Sequence, residues 1–197
     1  MEKNNAPRLV LASTSPYRHE LLRRLHLPFE AAAPSIDEAA FPNEPAASTA
    51  ARLSRLKAGA VASRFPFSLI IGSDQVADCN GLRIEKPGDH QRAFTQLRSM
   101  SGKSVTFSTA VTLLNTSSGG IQTQVVTTVV RFRQLLEMDI ERYLKQEPAY
   151  DCVGSAKVES LGISLLEAVQ GDDPTALIGL PLITLCRMLR AEDVSIP

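Results

Sequence analysis

Residues 9–18 read Leu9-Val10-Leu11-Ala12-Ser13-Thr14-Ser15-Pro16-Tyr17-Arg18, and this stretch decides the fold class. The apolar run Leu9 to Ala12 reads as a short strand. Ser15 followed by Pro16 is an N-cap with proline at the first helical position, so the spacing predicts a strand feeding a helix over 16–27. Leu21, Leu22 and Leu25 fall on the buried side of that helix, and Pro28 follows its end.

Outward from this unit, 30–45 is a loop rich in proline and acidic residues, and 48–64 has helical spacing at Leu53, Leu56, Ala60 and Val61. Leu69-Ile70-Ile71 reads as a buried strand closed by Gly72-Ser73-Asp74-Gln75. Its continuation through Val76 to Cys79 meets Asn80-Gly81, a hairpin signal, before Leu82-Arg83-Ile84. Residues 89–100 look helical, with Asp89 as a possible N-cap. Segments 103–114 and 121–132 are β-rich and predicted to pair antiparallel across the turn Ser117-Ser118-Gly119-Gly120. A helix over 137–146, a strand over 163–169 and an amphipathic helix over 181–190 complete the pattern. The fold class is mixed α/β, expected as a single domain over 1–197 with two lobes around a cleft.

The chain has 197 residues, with 21 Lys+Arg against 21 Asp+Glu and a net charge of zero. That excludes a general polyanion binder, which carries a basic excess to neutralise phosphates, and leaves a small phosphorylated ligand open. Cys79, Cys152 and Cys186 are too few and too scattered for a disulfide framework or structural zinc, which indicates a reducing compartment. The polar stretch Met1 to Arg8 has no apolar h-region, and no apolar run approaches the roughly 20 residues that span a bilayer, so a cytoplasmic location is expected, with no membrane and no polymeric nucleic acid as partner.

Ser13, Thr14, Ser15 and Arg18 set hydroxyls, free N–H groups and a guanidinium at a helix N-terminus, where anions bind. The same residues also suit an ordinary Ser-Pro cap with a surface arginine. Asp74 stands at the C-terminal end of the apolar run, and with Glu38 it offers carboxylates that hold Mg²⁺ or Mn²⁺ and activate a water, although an acid there also serves as a turn former. Lys57, in a helix of small and apolar residues, and Lys86, before Pro87, are point charges within reach of a triphosphate, or solvated lysines. His19, His26 and His90 show no metal spacing, Ser155 lies outside any GxSxG elbow, and no P-loop is present.

Together with Asp37-Glu38, Lys57-Ala58, Gly72-Ser73-Asp74-Gln75, Lys86-Pro87, Ser101-Gly102-Lys103, Gly154-Ser155 and Gly179-Leu180-Pro181-Leu182, the opening stretch resembles the Maf family of nucleoside triphosphate pyrophosphatases over nearly the whole chain. The resemblance implies an α/β Maf/ITPase-like fold, a homodimer, and metal-dependent hydrolysis of the α–β phosphoanhydride with Mg²⁺, Mn²⁺ or Co²⁺. It implies that Asp74 is the catalytic proton acceptor and that Ser13, Arg18, Glu38, Lys57 and Lys86 line the phosphate and metal site, with Glu38 and Asp74 as metal ligands.

Within that family, Tyr17, Gln75 and Glu159 resemble the branch whose implied substrate is 7-methyl-GTP. Methylation at N7 makes guanine a cation, which a tyrosine face attracts by roughly 0.5–2 kcal/mol. Glu159 is placed to accept from the guanine N1–H and exocyclic amine. The competing expectations are a dTTP/UTP or other non-standard nucleotide pyrophosphatase, and a nucleotide-binding regulator of septum formation. Glu85, Ala110 and Asp151 depart from the commoner family pattern.

Overall fold

The computed structural model describes residues 7–197. The strand read from Leu9 to Ala12 is β1 (Arg8–Ala12), and all four of these side chains are buried. A short run that is apolar at every position is what a parallel strand covered on both faces needs. Leu9 and Leu11 pack with Leu21 and Leu22 of α1 (Pro16–Arg23) and with Leu185 and Leu189 near the C-terminus. Val10 and Ala12 point the other way, onto Ala58 and Val61 of α2 (Ala46–Ala62).

Between those helices, β2 (Phe29–Ala31) and β3 (Ser68–Cys79) flank β1 in parallel. The short β4 (Leu82–Ile84) turns back on β3 across Asn80 and Gly81, both left-handed at φ 54° and 83°, as a tight hairpin turn requires. After α3 (His90–Met100), β5 (Ser104–Asn115) pairs antiparallel with β3 and with β6 (Ile121–Phe132). Then come α4 (Glu137–Gln146), β7 (Leu166–Gln170) on the far side of β6, and α5 (Leu182–Arg190). Among the described residues, seven strands make one mixed open sheet in the order β2-β1-β3-β5-β6-β7, with β4 on β3. The class is α/β, as expected. Leu97, Met100, Ile140 and Leu144 of α3 and α4 close a second core over Val105, Phe107 and Phe132. No helix among the described residues is long and apolar enough to cross a membrane.

Several expectations move. The first helix stops at Arg23 rather than Leu27, because His26 adopts a left-handed φ of 53°, and no glycine marks that stop in the sequence. Glu30 and Ala31 belong to β2, recruited by β1 from a segment read as loop. The strand expected over 163–169 starts at Leu166, and residues 161–165 form a 3-10 turn. More consequential is Gly72-Ser73-Asp74-Gln75. These turn formers do not end the strand, because Asp74 pairs with Ala110 and the ladder to β5 runs from Leu69 to Asp78. Only the parallel part of the sheet ends there, at the Ala12–Gly72 pair. Asp74 is therefore mid-strand, on a stretch whose parallel neighbour has stopped.

Gly72 sets how closely α2 lies on β3. A Cβ there would meet the Ser54 carbonyl oxygen at 2.1 Å and the Ala58 nitrogen at 2.9 Å. Both are backbone atoms, so the helix has to shift. Gly72→Ala is expected to lower the unfolding free energy by about 1–3 kcal/mol, the usual cost of overpacking. Urea unfolding measures it, and an unchanged midpoint would refute the close-packing argument.

Candidate active site

Strand alternation sends Ile70, Gly72 and Asp74 toward α2 and sends Ser73 and Gln75 to the opposite face. Lys57 stands on the α2 face that meets Gly72, and its Nζ donates to Asp74 Oδ1 at 2.6 Å and to Glu38 Oε2 at 3.0 Å. Lys57 and Asp74 are buried, whereas Glu38 is more than half exposed. One ammonium thus draws two carboxylates, 36 positions apart in the chain, to a single point. Asp74 Oδ2 has no protein partner among the described residues.

Arg18 enters from the first turn of α1. Its Nε donates to the Gly179 carbonyl at 2.8 Å, and the single Ser73 hydroxyl proton is shared between that oxygen and the Ala110 carbonyl, both at 2.8 Å. Burial pulls the Arg18 pKa down, against the opposing charges of Asp74 and Glu38, yet a guanidinium this basic stays protonated. Ser13 holds the turn: its Oγ accepts the Ser15 N–H at 3.1 Å, while Ser15 Oγ accepts from the Arg18 N–H. Lys86 borders the same pocket and pairs with no carboxylate among the described residues.

The pocket brings together Tyr17, Arg18, Glu38, Lys57, Asp74, Gln75, Lys86 and Glu159, and an adjoining hollow at the α1 N-terminus adds Ser13. Glu159 is exposed and has no hydrogen bond or ion pair among the described residues. Gln75, expected to read the base, is anchored to the fold through its amide nitrogen. Its Nε2 shares two N–H groups among Thr109 Oγ1, Ala176 O and Leu177 O at 2.9–3.0 Å, which pins the 3-10 turn 176–178 to β3 and leaves Oε1 for a ligand.

Sequence reasoning missed Arg83, which lines the pocket while donating to Thr49 Oγ1 at 2.9 Å, and missed Asp151 and Lys157 as pocket residues. The hairpin signal located Arg83 on a strand; only tertiary packing shows that it points inward. Cys152 also borders the pocket, but burial pushes its thiol up to about 12, helped by Asp151, so it is no thiolate nucleophile at neutral pH.

For a cation, the protein offers oxygen ligands. Among the described residues no group of three or more His, Cys, Asp or Glu side chains is placed to hold a metal alone. Glu38 and Asp74, two carboxylates drawn to one point, fit Mg²⁺-type ions, which keep waters and bind through one or two carboxylates plus substrate phosphates.

The family profile described as Maf-like protein matches residues 8–192. The chain belongs to the Maf family. A 7-methyl-GTP pyrophosphatase of a Polaromonas species is 55% identical over 188 residues, covering 95% of this chain and 86% of that relative. Proteins of the same name from Thiobacillus denitrificans and Burkholderia pseudomallei are 54% and 53% identical, covering 97% and 94% of this chain and 95% and 87% of those relatives.

Two predictions test how this Maf pocket is held. Lys57→Ala leaves Asp74 buried without its partner and is expected to cost about 3–5 kcal/mol, most of it recovered in Lys57→Met/Asp74→Leu; denaturant unfolding of both variants decides, and equal losses would refute the pairing. Glu44 anchors the start of α2, accepting from Arg52, Phe41 N–H and the Thr49 hydroxyl, and it is held down to about 2, chiefly by Arg52. A depressed carboxyl stabilises the fold above its ordinary value of 4.5 and loses that contribution as pH falls toward 2. Glu44→Gln should therefore flatten the stability curve between those pH values in acid titrations followed by circular dichroism, and an unflattened curve would count against the anchor.

Proposed function

We propose that the chain is a nucleoside triphosphate pyrophosphatase that converts 7-methyl-GTP to 7-methyl-GMP and pyrophosphate. The observation that carries this reading is the Lys57 ammonium drawn between Asp74 and Glu38 in the same pocket that Tyr17 and Glu159 line. Family membership and the 7-methyl-GTP pyrophosphatase names of relatives above 50% identity support it. One domain, with the pocket between its two halves, suffices for the reaction.

Attack at the α-phosphorus needs a positioned water, a proton acceptor and neutralisation of the departing charge. Lys57 fixes Asp74 through Oδ1, and Oδ2 takes the proton as the water oxygen bonds to the α-phosphorus. The bridging oxygen leaves with the β-phosphate. Arg18, Lys57 and Lys86 offset the charge gathering on pyrophosphate, and the Ser13 turn and α1 N-terminus receive phosphate oxygens. Glu38 and Asp74 would hold a divalent cation, Mg²⁺, Mn²⁺ or Co²⁺, which would supply further charge neutralisation and a more acidic water. At the other end, Tyr17 offers its ring to the cationic base, Glu159 accepts from its N–H groups, and Gln75 presents Oε1 from the turn it pins.

A panel of triphosphates with pyrophosphate detection tests this reading. Release is expected to be fastest from 7-methyl-GTP, to stop with a chelator, and to fall about 10²–10⁴-fold in Asp74→Asn, the usual worth of a general base. Faster turnover of dTTP and UTP would overturn the assigned base, and binding with no turnover in any of the three metals would point instead to a nucleotide-binding regulator.

A further inference from the structure

Three side chains meet in the pocket, and two of them, Tyr17 and Asp151, also border the hollow at the α1 N-terminus. The Tyr17 hydroxyl donates to Asp151 Oδ2 at 2.9 Å. The Lys157 ammonium lies 3.7 Å from Asp151 Oδ1 and 5.9 Å from the centre of the Tyr17 ring. All three line the pocket with Glu159. The face of Tyr17 is thus already a cation site, with an acid tied to the ring's hydroxyl.

Burial raises the Tyr17 pKa, and the hydrogen bond and charge of Asp151 add to the rise, so the phenol remains a donor and the ring stays against the acid. Lys157 is clamped at its root. Its backbone N–H donates to the Tyr143 hydroxyl at 3.0 Å, and a Cβ on Gly162 would lie 2.5 Å from its nitrogen and 2.6 Å from its oxygen. Beyond that root, the ammonium at the tip of the four-carbon stem is held only by a long ion pair to Asp151 and a weak contact to the ring.

We propose that Tyr17, Asp151 and Lys157 form a cation-exchange site for the base, in which the cationic purine takes the place of the Lys157 ammonium on the Tyr17 ring and Asp151 stays as its counter-charge. Asp151 is then a specificity-determining residue that favours charged over neutral bases and Lys157 one that opposes them, roles that rest on the 7-methyl-GTP reading. A base that is itself a cation replaces like with like on the ring. A neutral guanine displaces the ammonium without supplying a charge to the ring or to Asp151. Lys157 opposes the incoming base cation by like charge, so it sharpens the dependence on Asp151 while weakening affinity.

The experiment compares kcat/KM for 7-methyl-GTP and GTP in the full chain, with one divalent cation, for the wild type, Asp151→Asn, Asp151→Glu and Lys157→Met. Asp151→Asn is expected to lower the 7-methyl-GTP to GTP ratio about five-fold, chiefly through KM for the methylated nucleotide, a modest effect because Asp151 is more than half exposed and screened. Asp151→Glu keeps the charge and should hold the ratio within about two-fold of wild type, while Lys157→Met should raise it about three-fold, both small-energy changes on the same scale. A structural role for Asp151 would lower both substrates together and leave the ratio where it was. Unchanged ratios in Asp151→Asn and Lys157→Met, or a fall in Lys157→Met, overturn the exchange site while leaving the substrate assignment standing. A wild type with no preference for 7-methyl-GTP over GTP overturns both.

Discussion

The buried ion pair between Lys57 and Asp74 organises this molecule. Removing a lysine and an aspartate from water is costly, and the attraction between them offsets that cost only with close geometry and further partners. Here the geometry comes from the backbone. Gly72 lets α2 lie directly on β3, with the Ser54 carbonyl where a side chain would otherwise stand, and that approach brings the Lys57 ammonium within 2.6 Å of a carboxylate two residues along the strand. Glu38, from an extended loop, completes the cluster at 3.0 Å. A charge held this way keeps one Asp74 oxygen occupied and leaves the other without a protein partner among the described residues.

The opposite face of the same strand does the complementary work. Ser73 and Arg18 both donate to the Gly179 carbonyl, and Gln75 and Thr109 hold the Ala176 carbonyl, so the turn 176–179 is stitched to β3, β5 and α1. Asp173 extends the stitching: its buried carboxylate accepts from the Thr175 hydroxyl and from the N–H groups of Ile183 and Thr184 at the start of α5. The pocket wall is therefore built by side chains satisfying backbone groups that the fold would otherwise bury unpaired.

Much of the fold was legible in short-range signals. Ser15 before Pro16 and Asp89 before His90 cap helices as read, with Asp89 accepting the Arg92 N–H at 2.8 Å, and Asn80-Gly81 makes its hairpin turn. The antiparallel pairing of 104–115 with 121–132 follows the alternation and turn residues between them. The failures lie where a distant partner overrides local preference. Gly72 to Gln75 look like a turn, but ten consecutive ladder pairs with β5 keep them extended. Around the Gln75 amide stand three acceptors, two of them about a hundred positions away, which no neighbouring residue signals. Asp151 looked like a local departure from a family pattern, and Lys157 drew no attention, because nothing near them in the chain shows that Tyr17 stands beside both.

From the chain of residues alone came the α/β class, the capped helix after the first strand, the family, and several of the groups that line the pocket: carboxylates, lysines, an arginine, a tyrosine. These follow from backbone preferences and side-chain types that act over a few residues. Which of those groups touch was settled only in three dimensions, because Lys57 with Asp74, Arg18 with Gly179 and Tyr17 with Asp151 are separated by 17, 161 and 134 positions. Contacts of that span are fixed by how the sheet stacks its helices and how near a glycine lets them come, and neither quantity is written in any local run of residues.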